Sequence, residues 1–222
     1  MPLNDLLPDN DPGALPPVRT EPVQGRSAAR VDALLDAVAA VVDEIGFDRL
    51  TTAMVSERAG ASIGTVYRYF PDRIALLQGL RDRAAQRFRL LVIELVGQSK
   101  PEHWWDAVDC ALVAFAQMYR TEPGFRIIRF ADTERIAADD DHPYQPGFFA
   151  ARFGAILTED FGLPSGEELT FRLNVAVLLG DALITQAFQV SPEGDEKVLA
   201  EAHIVVRNYL EGYYGSGQEA PQ

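Results

Sequence analysis

One cysteine, Cys110, occurs among the 222 residues. An internal disulfide is therefore excluded, and a reduced, cytoplasmic setting is the default expectation. The three histidines, His103, His142 and His203, lie far apart with no H-x-x-x-H spacing. No zinc site is expected from them. No unbroken apolar run reaches the length of a membrane span. The N-terminus has no basic segment followed by an apolar stretch, so no secretory signal is read. There is no G-x-S-x-G, no P-loop and no dinucleotide fingerprint. Asp139, Asp140 and Asp141 sit beside a turn at His142 and Pro143 without a second metal-binding motif, which reads as a charged loop. These absences point away from an enzyme, a metal centre and a cofactor. Strand-like alternation persists nowhere, and no internal repeat is found.

What is present fits a soluble globular chain. Hydrophobic residues make up 47% and charged residues 24%. Folding at this length buries about 70% of the unfolded chain's surface. The net charge is −13, which as a total opposes nucleic-acid binding. Its distribution is uneven. Residues 26–90 carry ten basic and eight acidic residues, whereas residues 91–222 carry nine basic and 21 acidic ones. Such asymmetry fits a small DNA-facing module joined to a larger domain with another task.

Residues 1–25 contain six prolines and no hydrophobic periodicity, and read as a disordered arm. From Ser27 to Ile45 the apolar positions Val31, Leu34, Leu35, Val38, Val42 and Ile45 follow a helix period, with Gly46 as a stop. A short helix is expected to start at Thr52 with Thr51 as N-cap, and to end near Ala59. Ser62 is a second N-cap, opening a helix from Ile63 to about Phe70. Two short helices joined by a Gly-containing turn form a helix-turn-helix. A long helix follows from about Asp72 into the nineties. Later helical segments are placed near Pro101–Arg120, Pro123–Ile136, Gln145–Asp160, Gly166–Val190 and Asp195–Tyr214. The tail from Gly215 is expected to fray. Domain boundaries are set at 26–75 for the helix-turn-helix and 76–214 for the rest. The fold class is all-α.

In the second short helix, Ile63, Val66 and Phe70 stand at i, i+3 and i+7 and are expected to face the core. Gly64, Thr65 and Arg68 then point outward, with Tyr67 and Tyr69 on the flanks. Gly64 lets a backbone approach phosphates closely, where free helix N–H groups favour an anion. Thr65 can bond a base edge or touch a thymine methyl, and Arg68 can fork onto guanine or grip a phosphate. Tyrosine hydroxyls commonly bond phosphate oxygens. Thr51 and Thr52 open the helix that crosses the backbone in such motifs. Arg73 begins the next helix in phosphate reach. Spacing alone leaves a second reading open: an ordinary helical hairpin with a solvated polar face.

Residues 30–80 resemble the DNA-binding domain of the TetR/AcrR family of transcriptional regulators. The resemblance is carried by the amphipathic first helix, Phe47, LTTAMVSERAG (50–60), Ser62, GTVYRYF (64–70) and RIALL (73–77). It implies an all-helical dimer that represses transcription and leaves a palindromic operator when a small ligand binds the C-terminal domain. It implies DNA contacts at Thr52, Ile63, Gly64, Thr65, Tyr67, Arg68 and Tyr69. It also implies a phosphate contact at Arg73, where the family often has lysine.

Beyond about residue 90 the resemblance fades. Leu173–Ile184 is apolar except at Asn174, Gly180 and Asp181. A helix apolar all round is buried on more than one side. A subunit interface or an internal core helix would each produce this pattern. Candidate interface residues are Leu173, Val177, Gly180, Ile184 and Phe188, with Val205, Tyr209 and Tyr213 on the last helix. The resemblance also places the dimer interface on the last two long helices. Thr170, Asn174, Asp181 and Thr185 form a narrow polar stripe, read as a thin solvent-facing strip in preference to pocket lining. Candidate pocket aromatics and their neighbour are Trp104, Trp105, Phe115, Met118, Tyr119, Phe125, Phe130, Phe149 and Phe153, although such spacing also describes plain core.

The sequence thus reads as a DNA-binding regulator with double-stranded operator DNA, an unknown small-molecule effector and a second copy of itself as partners, and with no membrane. A helical ligand-binding or enzymatic protein with a vestigial helix-turn-helix is the rival. An activator is not separable from a repressor at this level.

Overall fold

The computed structural model describes Leu6, residues 24–127 and residues 148–216. Among the described residues there are eight α-helices and no strand. They are α1 (Gln24–Ile45), α2 (Thr52–Arg58), α3 (Ile63–Tyr69), α4 (Arg73–Ser99), α5 (Trp104–Thr121), α6 (Phe148–Phe161), α7 (Glu167–Val190) and α8 (Glu196–Tyr214). Short 3₁₀ turns lie at Phe47–Arg49 and Phe125–Ile127. The expectations for 1–25 fall outside the described residues apart from Leu6, which is fully buried, and Gln24 and Gly25, which already belong to α1. The part of the segment 123–136 beyond Ile127 also lies outside them, as does Phe130.

The chain divides into two compact units, and the division falls within α4 at Ala84. The N-terminal unit holds α1–α3, α4 up to Ala84 and the turn Phe125–Ile127. Its core forms because the period of α1 turns Leu34, Leu35, Val38 and Val42 inward, where Leu50, Val55, Val66, Phe70, Leu76 and Leu80 are also buried. The acids Asp32, Asp36, Asp43 and Glu44 stay exposed. The cut comes later than the expected 75/76 boundary for a physical reason. Arg83 is buried and donates to Asp36 Oδ1 at 2.7 Å and to the Leu35 carbonyl at 3.1 Å. Those bonds fasten this stretch of α4 to α1. Gly124 likewise donates its N–H to Asp43 Oδ1 at 3.2 Å, which ties the 3₁₀ turn to the same unit.

The C-terminal unit contains the rest of α4 and α5–α8. α7 packs along α8, with α6 and α5 also against it. A Cβ at Gly180 would stand 3.1 Å from Leu112 Cδ2, so the glycine lets α5 approach α7 closely. α8 starts sharply because Asp195 accepts the N–H bonds of Lys197 and Val198 at 3.0 Å each. By length and composition α7 is apolar enough to cross a membrane, a feature that counting unbroken apolar residues does not reveal. In this fold three helices pack on it and a buried carboxylate, Asp181, sits along it.

Candidate nucleic-acid interface

The helix-turn-helix is set by local hydrogen bonds. Thr51 accepts from the Met54 N–H at 3.2 Å, which starts α2 at Thr52. Ser62 accepts from the Thr65 N–H at 3.2 Å, which starts α3 at Ile63. Between them Gly60 adopts φ +57°, a left-handed conformation that a side chain disfavours. Ser56 closes the turn by donating to the Ala61 carbonyl at 2.6 Å, while Ala61 N–H donates to the Ser56 carbonyl at 3.0 Å. The turn therefore has little freedom, and the relation between the two helices is built into their own side chains.

Val66 and Phe70 are buried, and the rest of α3 lies on the surface to differing degrees. Gly64, Tyr67 and Arg68 are exposed, and Thr65 and Tyr69 are half-buried. Ile63 departs from expectation, since 48% of its surface is exposed and it does not join the core. It is the first residue after the cap of a seven-residue helix, and Phe70 is already the extended C-cap, so the i, i+3, i+7 pattern spans more than one helix can impose. Ile63 thus stands with Gly64 at the outer N-terminal edge of α3. A Cβ at Gly64 would meet only Ser62 Oγ, at 3.9 Å, so this edge is open.

The surface polar groups are also pre-positioned. Thr52 Oγ1 donates to Tyr67 Oη at 3.2 Å, joining α2 to α3. Tyr69 Oη lies 3.3 Å from Ser27 Oγ, so α1 holds the other tyrosine. Ser27 has no distinguishing motif, and sequence reading missed it. Ser62 Oγ and Thr65 Oγ1 are 2.9 Å apart. Arg73 donates to the Asp48 carbonyl at 2.9 Å and lies over the Phe47 ring, 4.8 Å from its centroid. Arg58 is engaged by Glu44 in an ion pair. The resulting face offers hydroxyls, one guanidinium at Arg68, a second at Arg73, and an open helix end. Such groups can bond base edges and phosphates.

The second site lies within the C-terminal unit. A cavity of about 50 Å³ is lined by Phe88, Phe115, Phe149, Phe153, Leu112, Val108, Ala111, Ala150, Leu173, Ala176, Val177, Gly180, Val206 and Asp181. Of the candidate pocket residues, Phe115, Phe149 and Phe153 line it. Trp104 and Trp105 are buried but pack edge-on against each other at 6.1 Å instead. Met118 is fully buried elsewhere in the core. Tyr119 stacks on Phe188 at 4.8 Å and bonds Thr185 Oγ1 at 2.6 Å, one step removed from the cavity through Phe115. Phe125 belongs to the N-terminal unit. Of the candidate interface residues, Leu173, Val177 and Gly180 line the cavity, and Leu173, Ile184 and Phe188 are buried by the chain itself. Val205 and Tyr209 are half-buried, and Tyr213 is exposed. The polar stripe on α7 is not a solvent strip, because Asp181 is only 4% exposed and lines the cavity.

The fold and the N-terminal face define a helix-turn-helix protein of the DNA-reading kind, with a separate helical unit. Comparison with known proteins agrees. Residues 34–80 match the model of bacterial regulatory proteins of the tetR family, and residues 102–214 match a tetracyclin repressor-like C-terminal domain. The chain belongs to the TetR family. A TetR-family transcriptional regulator from Streptomyces coelicolor has a similar structure, with TM-score 0.71 and 33% identity, over 82% of this chain and 98% of that one. The transcriptional regulator BetI of Cronobacter sakazakii is 32% identical over 35% of this chain and 39% of its own length. The repressor KstR of Mycolicibacterium smegmatis is 37% identical over 24% of this chain and 26% of its own. The chain thus spans about a quarter to two fifths of the length of these curated relatives.

Proposed function

We propose that the protein is a homodimeric, operator-binding transcriptional repressor, released from DNA when a small molecule enters the cavity of its C-terminal unit. The observation that carries this reading is the outward face of α3, where Gly64, Tyr67 and Arg68 are exposed on a helix whose tyrosines are braced by Thr52 and Ser27. Neither exposed side chain contributes to the buried core, and both suit bonds to bases and phosphates. A single seven-residue helix reads too few base pairs, whereas two copies related by a two-fold axis read a palindrome. α7 and α8 leave apolar side chains on the surface, Phe171, Leu178 and Ile204 among them, and these suit pairing with a second copy.

α4 supplies a route for release. Its first part contributes Leu76 and Leu80 to the N-terminal core, and its later part contributes Phe88 to the cavity wall. A ligand that displaces Phe88 moves a helix that is bonded to α1 through Arg83, little more than one turn earlier. The separation of the two recognition helices then changes and half-site register is lost.

The test is selection of binding sites from the fragmented source genome by the purified protein, at several salt concentrations. It is run beside a Tyr67→Ala, Arg68→Ala variant. The proposal expects a palindrome from the wild type alone. Recovery of nothing, or of the same sequence-blind, salt-sensitive binding by both proteins, overturns it.

A further inference from the structure

Ile63 breaks the chemistry of the face around it. Ser62, Gly64, Tyr67 and Arg68 are exposed beside it, so the outer end of α3 is otherwise polar or open. Ile63 is nonetheless 48% exposed. It stands one turn before Tyr67 on the same strip of the helix. Tyr67 accepts a hydrogen bond from Thr52 Oγ1 at 3.2 Å, so the tyrosine is held towards α2 while Ile63 stays half uncovered. Gly64 contributes no side chain, and a Cβ there would meet only Ser62 Oγ, at 3.9 Å. A surface can therefore close on Ile63 without meeting a bulkier neighbour at position 64.

The isoleucine side chain carries no donor or acceptor, so it gains nothing from a phosphate oxygen or a polar base edge. Against such an edge it would displace water and leave the edge's groups unbonded, which is costly. The major groove offers one apolar feature, the C5 methyl of thymine. In helix-turn-helix complexes it is the N-terminal residues of the second helix that contact base edges. We infer that Ile63 is a specificity-determining residue that reads a thymine in each operator half-site through its C5 methyl. This inference rests on the reading of α3 as the helix that enters a palindromic operator.

The experiment is a uracil scan of the palindrome recovered by selection. Uracil lacks the C5 methyl and pairs as thymine does. Each thymine is replaced in turn, symmetrically in both half-sites, and the affinity of the full-length protein is measured by fluorescence anisotropy at one salt concentration. At one position or more the wild type should lose about fourfold per methyl, roughly fifteenfold for the symmetric pair. Ile63→Ser should reduce that loss to less than about twofold for the pair. Ile63→Val, which keeps a branched apolar side chain, should retain most of it. Thr65→Ser removes the other methyl near this end of α3 and should leave the sensitivity in place. If no thymine is sensitive, or Ile63→Ser keeps the full loss, Ile63 reads no methyl and the inference is wrong, while the operator reading stands. Sensitivity that disappears in Thr65→Ser but not in Ile63→Ser gives the methyl to Thr65 and overturns the inference equally. If selection recovers no palindrome, the operator reading fails and the inference fails with it. The wild-type scan can overturn the inference even if a variant folds poorly.

Discussion

Arg83 places its guanidinium nitrogen 2.7 Å from Asp36 Oδ1, yet the two side chains live in different surroundings. Arg83 is 9% exposed and Asp36 is 66% exposed. The pair is therefore asymmetric. Arg83 also bonds the Leu35 carbonyl at 3.1 Å and so anchors α4 to the α1 backbone as well as to the carboxylate.

That asymmetry predicts unequal costs of mutation. Arg83→Met loses a buried charge-assisted bond and a backbone contact, and should destabilise by about 1–3 kcal/mol. Asp36→Asn removes a mostly solvated charge and should cost less than about 1 kcal/mol. Urea unfolding at a single protein concentration measures both, since the stability of the proposed dimer would depend on concentration. Equal costs would mean that the solvated carboxylate, not the buried contacts, holds α4 in place.

The recognition helix should separate stability from DNA binding. Arg68 is exposed and packs only loosely by Tyr69, its guanidinium 5.8 Å from the ring centroid. Arg68→Ala should leave the unfolding midpoint unchanged. Operator affinity should fall tenfold or more, in the range of about 1–3 kcal/mol for a base contact. A phosphate contact would instead lower the salt slope by about one and weaken all sequences alike. Ser62→Ala acts in the opposite sense. It removes the cap bond to the Thr65 N–H and should cost about 1 kcal/mol of stability. Paired thermal melts and operator titrations distinguish the two effects.

How much of this was legible depended on how local each cause was. The caps at Thr51 and Ser62 and the turn at Gly60 are set within a few residues, and their residue types announce them. The all-helical class followed from periodicity in the same way. Ile63 was misplaced because a periodic rule was extended across a cap and beyond the end of a seven-residue helix. The cavity was largely hidden for a different reason. α7 is apolar on nearly every side, so periodicity alone does not tell its cavity side, with Leu173, Val177 and Gly180, from its outer side, with Phe171 and Leu178. Phe88 is flanked by Arg87 and Arg89 in sequence, which makes its stretch of α4 look like a solvated face. The roles of these residues depend on which helix packs where, and that information is tertiary.

The corrected position of Ile63 has a direct consequence. At 48% exposure it contributes little burial, so Ile63→Ser should change stability by less than about 0.5 kcal/mol. Val66 is fully buried three residues later, and Val66→Ala should cost about 2 kcal/mol through lost burial and a partial cavity. Chemical denaturation of the two variants checks the contrast. A large cost at Ile63 would place it in the core after all.

The outer face of α7 allows the proposed dimer to be tested without unfolding the subunit. Leu178 is 48% exposed on α7 and Ile204 is 49% exposed on α8, whereas Leu173 and Ile184 are buried by the chain itself. A charge at Leu178 meets water in a monomer but would be buried, with no partner shown for it, at a two-fold contact. Burying a charge in that way costs several kcal/mol. Leu178→Asp should therefore shift the protein to monomers in sedimentation equilibrium while its helical circular dichroism stays unchanged. Operator binding should weaken as well, because half-site pairing is lost. Leu173→Asp places the same charge in the core and should lower helix content and dimerisation together. A Leu178→Asp protein that remains dimeric would put the subunit contact on another surface. If it were monomeric but bound the operator undiminished, one recognition helix would suffice, and the palindrome argument would fall.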